Sequence, residues 1–421
     1  MVTNVFTPHV GGVARSVQGF TDEFRRRGHR VVVVAPLFEG AAEHETDVVR
    51  FPAIQHYSPG DFSIPVPVPG RLSVVLHDFH PDVVHSHHPF LLGDTALRIA
   101  ATHGIPIVFT HHTLYEQYTH YVPGDSPRLK GFVIDLVTGY CNLCDAVVAP
   151  SQSIGDLLRT RGVTVPVAVI PTGIDVATFS SGDGAGFRRR MGIPENSFVV
   201  GHVGRLAAEK NLSFLGEAVA TFLVRHPRAR FLLAGEGESK PEIQGLFADR
   251  GLADRLHVAG HLGPSELAAA YKSMNVFAFA SQSETQGLVL VEAMAAGVPV
   301  VAVDATGVRE VLRDRINGRM LSHENRDEFV DALAWIASLN ETSLAELRME
   351  IANTATAFSM SSTAETTLSL YHRLIVAGRQ HKPTDGSLWE TARRRIKEDW
   401  KILRNIAHAA GTAVRPHRKS P

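Results

Sequence analysis

Cysteine is almost absent: Cys141 and Cys144 are the only two in 421 residues, too few for the disulfide framework of a secreted chain. Long apolar runs are missing as well. No stretch approaches the ~18 uninterrupted apolar residues needed to cross a bilayer, so a membrane would be met only at its surface. Net charge is scarce, −1 at pH 7, and no domain-wide basic face of the kind that binds nucleic acid is visible. The start has no basic segment followed by an apolar run, as a secretory signal would, which points to the cytoplasm. What is present, 44% hydrophobic and 20% charged residues, is the profile of a folded protein of two domains.

The charge is unevenly spread. From Trp389 onward nine Lys/Arg face three Asp/Glu, so this end carries +6 while residues 1–388 carry −7. Trp389, Ala392, Ile396, Leu403, Ile406 and Ala410 fall on one helical stripe, with Arg393, Arg394, Lys397, Lys401 and Arg404 largely off it. Such a pattern suits an interfacial helix drawn to anionic lipid. A helix packed on the protein's own body would explain the same stripe.

Short β-branched runs recur, each followed by a helical pattern. The first series is "VVVVA" 31–35, "DVVHS" 82–86, "IPIVFT" 105–110, "DAVVAPS" 145–151 and "VAVIP" 167–171. The second is "FVVGHVG" 198–204, "RFLLAG" 230–235, "LHVAG" 256–260, "NVFAFAS" 275–281 and "VPVVAV" 298–303. Alternation of buried strands and helices predicts parallel sheets with helices on both faces. Two series predict an α/β chain of two Rossmann-like domains facing across a cleft. The expected division is residues 1–173 and 174–378, the last helix, about 361–378, returning to the N-terminal domain, then a basic amphipathic extension over 379–421. "MVTNVF" passes almost at once into "TPHVGGVARSVQGF", leaving an unusually short first strand, as though the chain began a few residues upstream.

Several stretches carry chemistry. Gly11 and Gly12, between the first strand and a helix, let backbone amides approach a phosphate or sugar; they could equally make only a tight turn. In "GRLAAEKN", 204–211, Arg205 and Lys210 leave a strand end and suit a diphosphate, Arg by bidentate hydrogen bonds and Lys as a point charge. A solvated loop would look the same. His85, His87, His88, His111 and His112 gather at two strand ends, where they could bind a substrate or, less readily given their irregular spacing, a metal. Tyr115, Tyr118 and Tyr121 read as a partly buried helix face. "CNLC", 141–144, has the spacing of a redox or metal pair, yet it ends an apolar stretch with no second pair, so core packing is expected.

Glu284 and Glu292, in "SQSETQGLVLVEAMAAG", pose a further question. On one helix their eight-residue separation turns the side chains ~80° apart, and on one strand they would share a face. Gly287 between them argues for neither, and for a path from strand end through a glycine turn into a helix.

Taken together, "PHVGGV", "VVHSHHP", "FTHHT", "APSQSIGDLL", "VIPTGIDVATF", "GRLAAEKN", "LLAGEGE" and "SETQGLVLVEAMAAGVPVVA" resemble family 4 of the retaining glycosyltransferases, enzymes of the GT-B fold. "HHTLYEQYTHY" and "SETQGL" look most like bacterial glucosyltransferases that glycosylate diacylglycerol. The resemblance implies that Glu284 lies near the transferred sugar and that Glu292 binds the nucleotide ribose. It implies that Arg205 and Lys210 hold the donor diphosphate, with Gly287 and Leu288 offering amides to it. It also implies that His112 contacts the donor sugar and that Gly12 belongs to the loop facing sugar and acceptor. Many members have Phe where this chain has Gln286, so no role of that Phe transfers. The expected reaction moves a hexose, glucose first, from UDP-glucose to a lipid or lipid-linked acceptor, with retention, no metal and no cofactor. The anionic membrane surface is expected to be met through residues 389–411, on the inner face of the cell membrane. Other readings are transfer to a capsular or lipopolysaccharide precursor, a glycosidase with the two glutamates ~5 to 9.5 Å apart, and a sugar-binding protein without turnover.

Overall fold

The computed structural model describes residues 1–9, 11–42, 45–54, 64–65, 75–76, 78–121, 126–281, 284, 286–380 and 388–414. They divide into two units, Met1–Pro171 with Thr363–Pro421, and Thr172–Ser362.

In the first unit the β-branched runs form β1 (Val33–Pro36), β2 (Val48–Phe51), β5 (Val84–Ser86), β6 (Ile107–Thr110), β7 (Ala146–Ala149) and β8 (Val167–Val169). β3 (Ala53–Ile54) and β4 (Ile64–Pro65) make a small antiparallel pair. β1 pairs with β2, and β5 to β8 lie side by side in chain order, every neighbour parallel. The short first strand is reduced to Val2, which bridges both Val34 and Ser86 in parallel and so joins the two groups. Central strands β6 and β7 are buried along their whole length, as expected where both faces are covered. The helix Pro127–Leu143 places Cys141 and Cys144 in the core; both thiols are free, and burial pushes Cys141 up to about 12.

The second unit has one six-stranded sheet, in the order β11 (Leu256–Gly260), β10 (Ala229–Ala234), β9 (Phe198–Val203), β12 (Val276–Phe279), β13 (Val300–Val303) and β14 (Gly318–Leu321). All pairs are parallel. The order reverses between β9 and β12, so the loops following those strands leave at a topological switch point, where open α/β sheets bind ligands.

The sequence reading set residues 379–421 apart as an extension. It had the helix over about 361–378 returning to the N-terminal domain, and residues from Thr363 onward do group with the first unit, the extension included. The helix Leu388–Val414 packs there on Pro127–Leu143 and Leu92–His103. Its inner seam is Glu398, Ile402, Asn405, Ala409 and Thr412: Ile402 and Ala409 are buried, Asn405 Nδ2 donates to Leu136 O at 3.0 Å, and the Thr412 hydroxyl donates to Asp135. Arg98 pairs with Asp399 at 2.7 Å. The stripe picked out from sequence is not this seam. Ile396, Leu403 and Ile406 are exposed by 58%, 59% and 41%, and Trp400, absent from the sequence reading, by 66%. At about 100° per residue the two stripes lie on opposite sides of the helix. The side chains of Trp389 and Ala392 lie outside the described residues. Among the described residues no helix is long and apolar enough to cross a membrane.

Candidate active site

In the second unit the chain leaves β9 into Gly204, Arg205 and Leu206. This loop is held by the segment following β10: Leu206 N–H donates to Glu236 O at 2.8 Å and Ser239 N–H to Leu206 O at 2.9 Å. Close approach there requires glycine. A Cβ on Gly235 (φ +133°) would lie 1.8 Å from Gly204 O, and one on Gly237 (φ +153°) 2.2 Å from Leu206 O, which explains "AGEGE" at these positions. Arg205 makes an ion pair with Glu209 four residues on. The short 3-10 turn Ala208–Lys210 follows, tied to the end of β12 by Ser281 Oγ donating to Glu209 O at 3.1 Å.

Lys210 at the end of that turn donates to Glu284 Oε1 at 2.5 Å, both side chains 18% exposed. An ammonium has three donors, so one bond to Glu284 fixes its place and leaves capacity for an anion. Glu284 lies beyond β12 and before Gly287, which takes φ +68° and caps the helix Leu288–Ala295. This is the strand, turn and helix path anticipated from Gly287. The helix N-terminus is a natural anion site. Glu292, in the second turn, is buried and accepts from Tyr271 Oη at 2.8 Å. Tyr271, Glu209 and Gln286 were not singled out as partners from sequence. Glu209 was within reach of an i,i+4 reading from Arg205; no sequence pattern marks Tyr271 for Glu292.

In the first unit the imidazoles form a stack at the ends of β5 and β6. His85 stacks on His87 with ring centroids 4.2 Å apart, and His87 on His112 at 5.2 Å. His87 Nδ1 and His112 Nε2 share a hydrogen bond of 2.9 Å. The nitrogens of His85 are taken by Tyr371 and Thr110, and His88 Nδ1 accepts from Asn4 N–H at 3.0 Å. His85 and His88 are thus held by hydrogen bonds from protein groups, and no set of three or more ligands suited to a metal ion occurs among the described residues. Burial lowers the pKa of every member, to about 3 for His88 and about 4 for His111. For His85, His87 and His112 burial is likewise the first cause and neighbouring histidines add to it. A neutral imidazole can donate to or accept from a sugar hydroxyl. Tyr115 packs edge-on against Phe90; the side chains of Tyr118 and Tyr121 lie outside the described residues. Gly11 and Gly12 open the helix Gly12–Arg26, and a Cβ on Gly12 would meet nothing within 4 Å.

Two units of parallel sheet and helix, the second with a basic loop, a glycine-capped helix and a lysine–glutamate pair at its switch point, are the architecture of a glycosyltransferase. The family described as Glycosyltransferase Family 4 matches residues 10–178, and Glycosyl transferases group 1 matches residues 185–358. The chain belongs to glycosyltransferase family 4 and has the GT-B fold. It is 28% identical to the alpha-monoglucosyldiacylglycerol synthase of Streptococcus pneumoniae, over 83% of this chain and 81% of that protein. With the Acholeplasma laidlawii enzyme of the same name the identity is 29%, over 71% and 78%. A GDP-mannose-dependent alpha-mannosyltransferase of Mycolicibacterium smegmatis is 31% identical over 76% and 83%. Among solved structures, HepE of Anabaena in complex with UDP-glucose superposes with a TM-score of 0.67 at 20% identity, over 89% of this chain and 99% of that one. Sucrose-phosphate synthase from Thermosynechococcus elongatus gives 0.70 at 18%, over the same shares.

Proposed function

We propose that this glycosyltransferase moves glucose from UDP-glucose to a membrane lipid such as diacylglycerol, retaining the configuration of the anomeric carbon and using neither metal nor cofactor. The observation that carries the reading is the Lys210–Glu284 pair, set beside the Gly287-capped helix at the switch point of the second sheet. The lipid acceptor is supported by the names of two relatives, both alpha-monoglucosyldiacylglycerol synthases.

In this reading Arg205 and Lys210 meet the diphosphate. Departure of the nucleoside diphosphate places negative charge on its β-phosphate, and Lys210, Arg205 and the amides at Gly287 and Leu288 stabilise that charge as it grows. Cationic side chains and the helix terminus do the work a divalent ion would otherwise do. Glu284 accepts from hydroxyls of the transferred sugar, Glu292 from the ribose, and the neutral His112 contacts the sugar, with Gly12 leaving room for sugar and acceptor. The departing phosphate takes the acceptor proton on the face it leaves, so no protein base is assigned.

The helix Leu388–Val414 supplies the membrane contact at the inner face of the cell membrane. Ile396, Trp400 and Leu403 are exposed on the side opposite its packed seam, and Lys397 and Arg404 border that side. An apolar stripe flanked by cations fits an anionic bilayer, each cation near the surface contributing about 1 kcal/mol.

The test is to incubate the purified protein with vesicles of diacylglycerol and anionic phospholipid and with UDP-glucose, UDP-galactose or GDP-mannose in turn, then to analyse the lipids by mass spectrometry and NMR. An α-glucosyl lipid from UDP-glucose is expected. A β-linked product overturns retention, and transfer only from GDP-mannose overturns the donor.

A further inference from the structure

Gln286 stands where many family members carry Phe, and its side chain is almost wholly buried, 2% exposed. Its amide makes two hydrogen bonds to the backbone of one distant residue. Thr172 N–H donates to Gln286 Oε1 at 2.6 Å, and Gln286 Nε2 donates to Thr172 O at 2.9 Å. A single primary amide thereby satisfies both polar groups of a buried peptide segment, as a neighbouring β-strand would. The glutamine amide carries a donor and an acceptor side by side; Phe or Leu would leave both Thr172 groups bare.

The anchor is itself fixed. Thr172 precedes Gly173, where a Cβ would lie 2.5 Å from Met360 Cα. Ile174 N–H donates to Phe358 O at 3.0 Å and Met360 N–H to Ile174 O at 2.8 Å. The segments by which the chain enters and leaves the second unit are therefore bound together here, and Gln286 grips the first of them. From another side Gly307 (φ +84°) presses on the backbone of Gln286: a Cβ at Gly307 would lie 2.7 Å from Gln286 N and 2.8 Å from its Cα. Two residues before Gln286 comes Glu284, and directly after it Gly287.

We infer that Gln286 is a positioning residue, which sets Glu284 and the Gly287–Leu288 amides for the donor by tying their segment to the backbone of Thr172. The inference rests on the proposed role of that turn in nucleotide-sugar binding. It assigns Gln286 no contact with substrate; its effect passes through the place of Glu284 and of the Gly287 and Leu288 amides.

Two substitutions separate positioning from bulk. Gln286→Met keeps length and apolar volume and removes both hydrogen bonds. Gln286→Glu keeps the shape: as a carboxylate it cannot donate to Thr172 O, whereas when protonated it offers one oxygen to Thr172 N–H and its O–H to Thr172 O. Burial raises a carboxyl pKa, so this variant should regain function on mild acidification. Two readouts apply, hydrogen exchange of the amides over 286–290 and affinity for UDP. In Gln286→Met, exchange over 286–290 should rise while that of β9 and β12 stays as in wild type, and UDP should bind roughly tenfold more weakly, the scale of one or two lost buried hydrogen bonds. In Gln286→Glu, the UDP affinity relative to wild type should recover between pH 7.5 and 6.0. Unchanged exchange over 286–290 in Gln286→Met overturns the inference, as does a Gln286→Glu defect with no pH dependence. Failure of wild type itself to bind UDP would count against the proposed donor instead, and the exchange measurement still decides the role of Gln286.

Discussion

Lys210 Nζ donates to Glu284 Oε1 across 2.5 Å, although 74 residues separate the two in the chain. The lysine comes from the turn after β9 and the glutamate from the loop after β12, the adjacent strands at which the sheet order reverses. The pair holds a cation and a carboxylate side by side, so in the proposed function a diphosphate reaching the lysine brings its sugar towards the glutamate. Glu292 occupies a different environment, buried on the helix and held by Tyr271. In the proposed function the two carboxylates are contacts along one ligand, and not an acid and base across a glycosidic bond.

Removing the support of Glu292 should affect donor binding more than chemistry. Tyr271→Phe deletes the 2.8 Å hydrogen bond to Glu292 Oε2, a bond to a buried charged acceptor worth about 1.5–3 kcal/mol. Steady-state kinetics should show KM for the nucleotide sugar raised several-fold with kcat close to wild type, the signature of lost uniform binding. A fall in kcat at unchanged KM would place Glu292 in the chemical step.

Acid should destabilise the protein well above the pH at which carboxylates titrate. His85, His87, His88, His111 and His202 are nearly inaccessible, and burial lowers the pKa of all of them. Their unfolded counterparts protonate near pH 6.5 while the folded forms stay neutral. The stabilisation is therefore fully present above about pH 6.5 and is lost as pH falls towards 4, at roughly 1.4 kcal/mol per pH unit for each ring. Calorimetry in buffers of differing ionisation enthalpy should find unfolding at pH 5 taking up about five protons on their account. A Tm constant from pH 7.5 to 5.5 would contradict this.

The exposed stripe of the helix Leu388–Val414 predicts a clean separation of membrane binding from folding. Trp400→Glu with Leu403→Glu should abolish sedimentation with anionic vesicles and leave UDP affinity and Tm near wild type. Ile402→Glu, on the packed seam, should instead lower Tm by several degrees, as a charge buried without a partner does. Deleting the whole helix would be a poor test because it strips cover from Pro127–Leu143. Vesicle binding undiminished in the double variant would rule out this face.

The strands that sequence made legible are those whose β-branched runs are buried on both faces, such as β7 and β13. β2 and β14 escaped notice: "VVRF" and "GRML" carry an arginine at the sheet edge, where one side needs no apolar cover. Gly287 announced the change from strand to helix between Glu284 and Glu292, because a left-handed residue breaks both periodicities. The helix Leu388–Val414 was legible as amphipathic, but it carries apolar residues on two faces, and only contacts with Leu92–His103 and Pro127–Leu143 decide which one packs. Gln286 with Thr172, and Tyr271 with Glu292, are pairs made by the fold across long stretches of chain. Nothing in the spacing of either residue foretells its partner.

The account turns on Lys210 and Glu284 acting at the donor, and the rate of glucosyl transfer from UDP-glucose to diacylglycerol in anionic vesicles measures this most directly. Lys210→Ala and Glu284→Gln should each lower that rate at least about a hundredfold, the scale of losing one preorganised group that stabilises the transition state, while circular dichroism and Tm show a folded protein. Transfer at the wild-type rate in either variant would contradict the account.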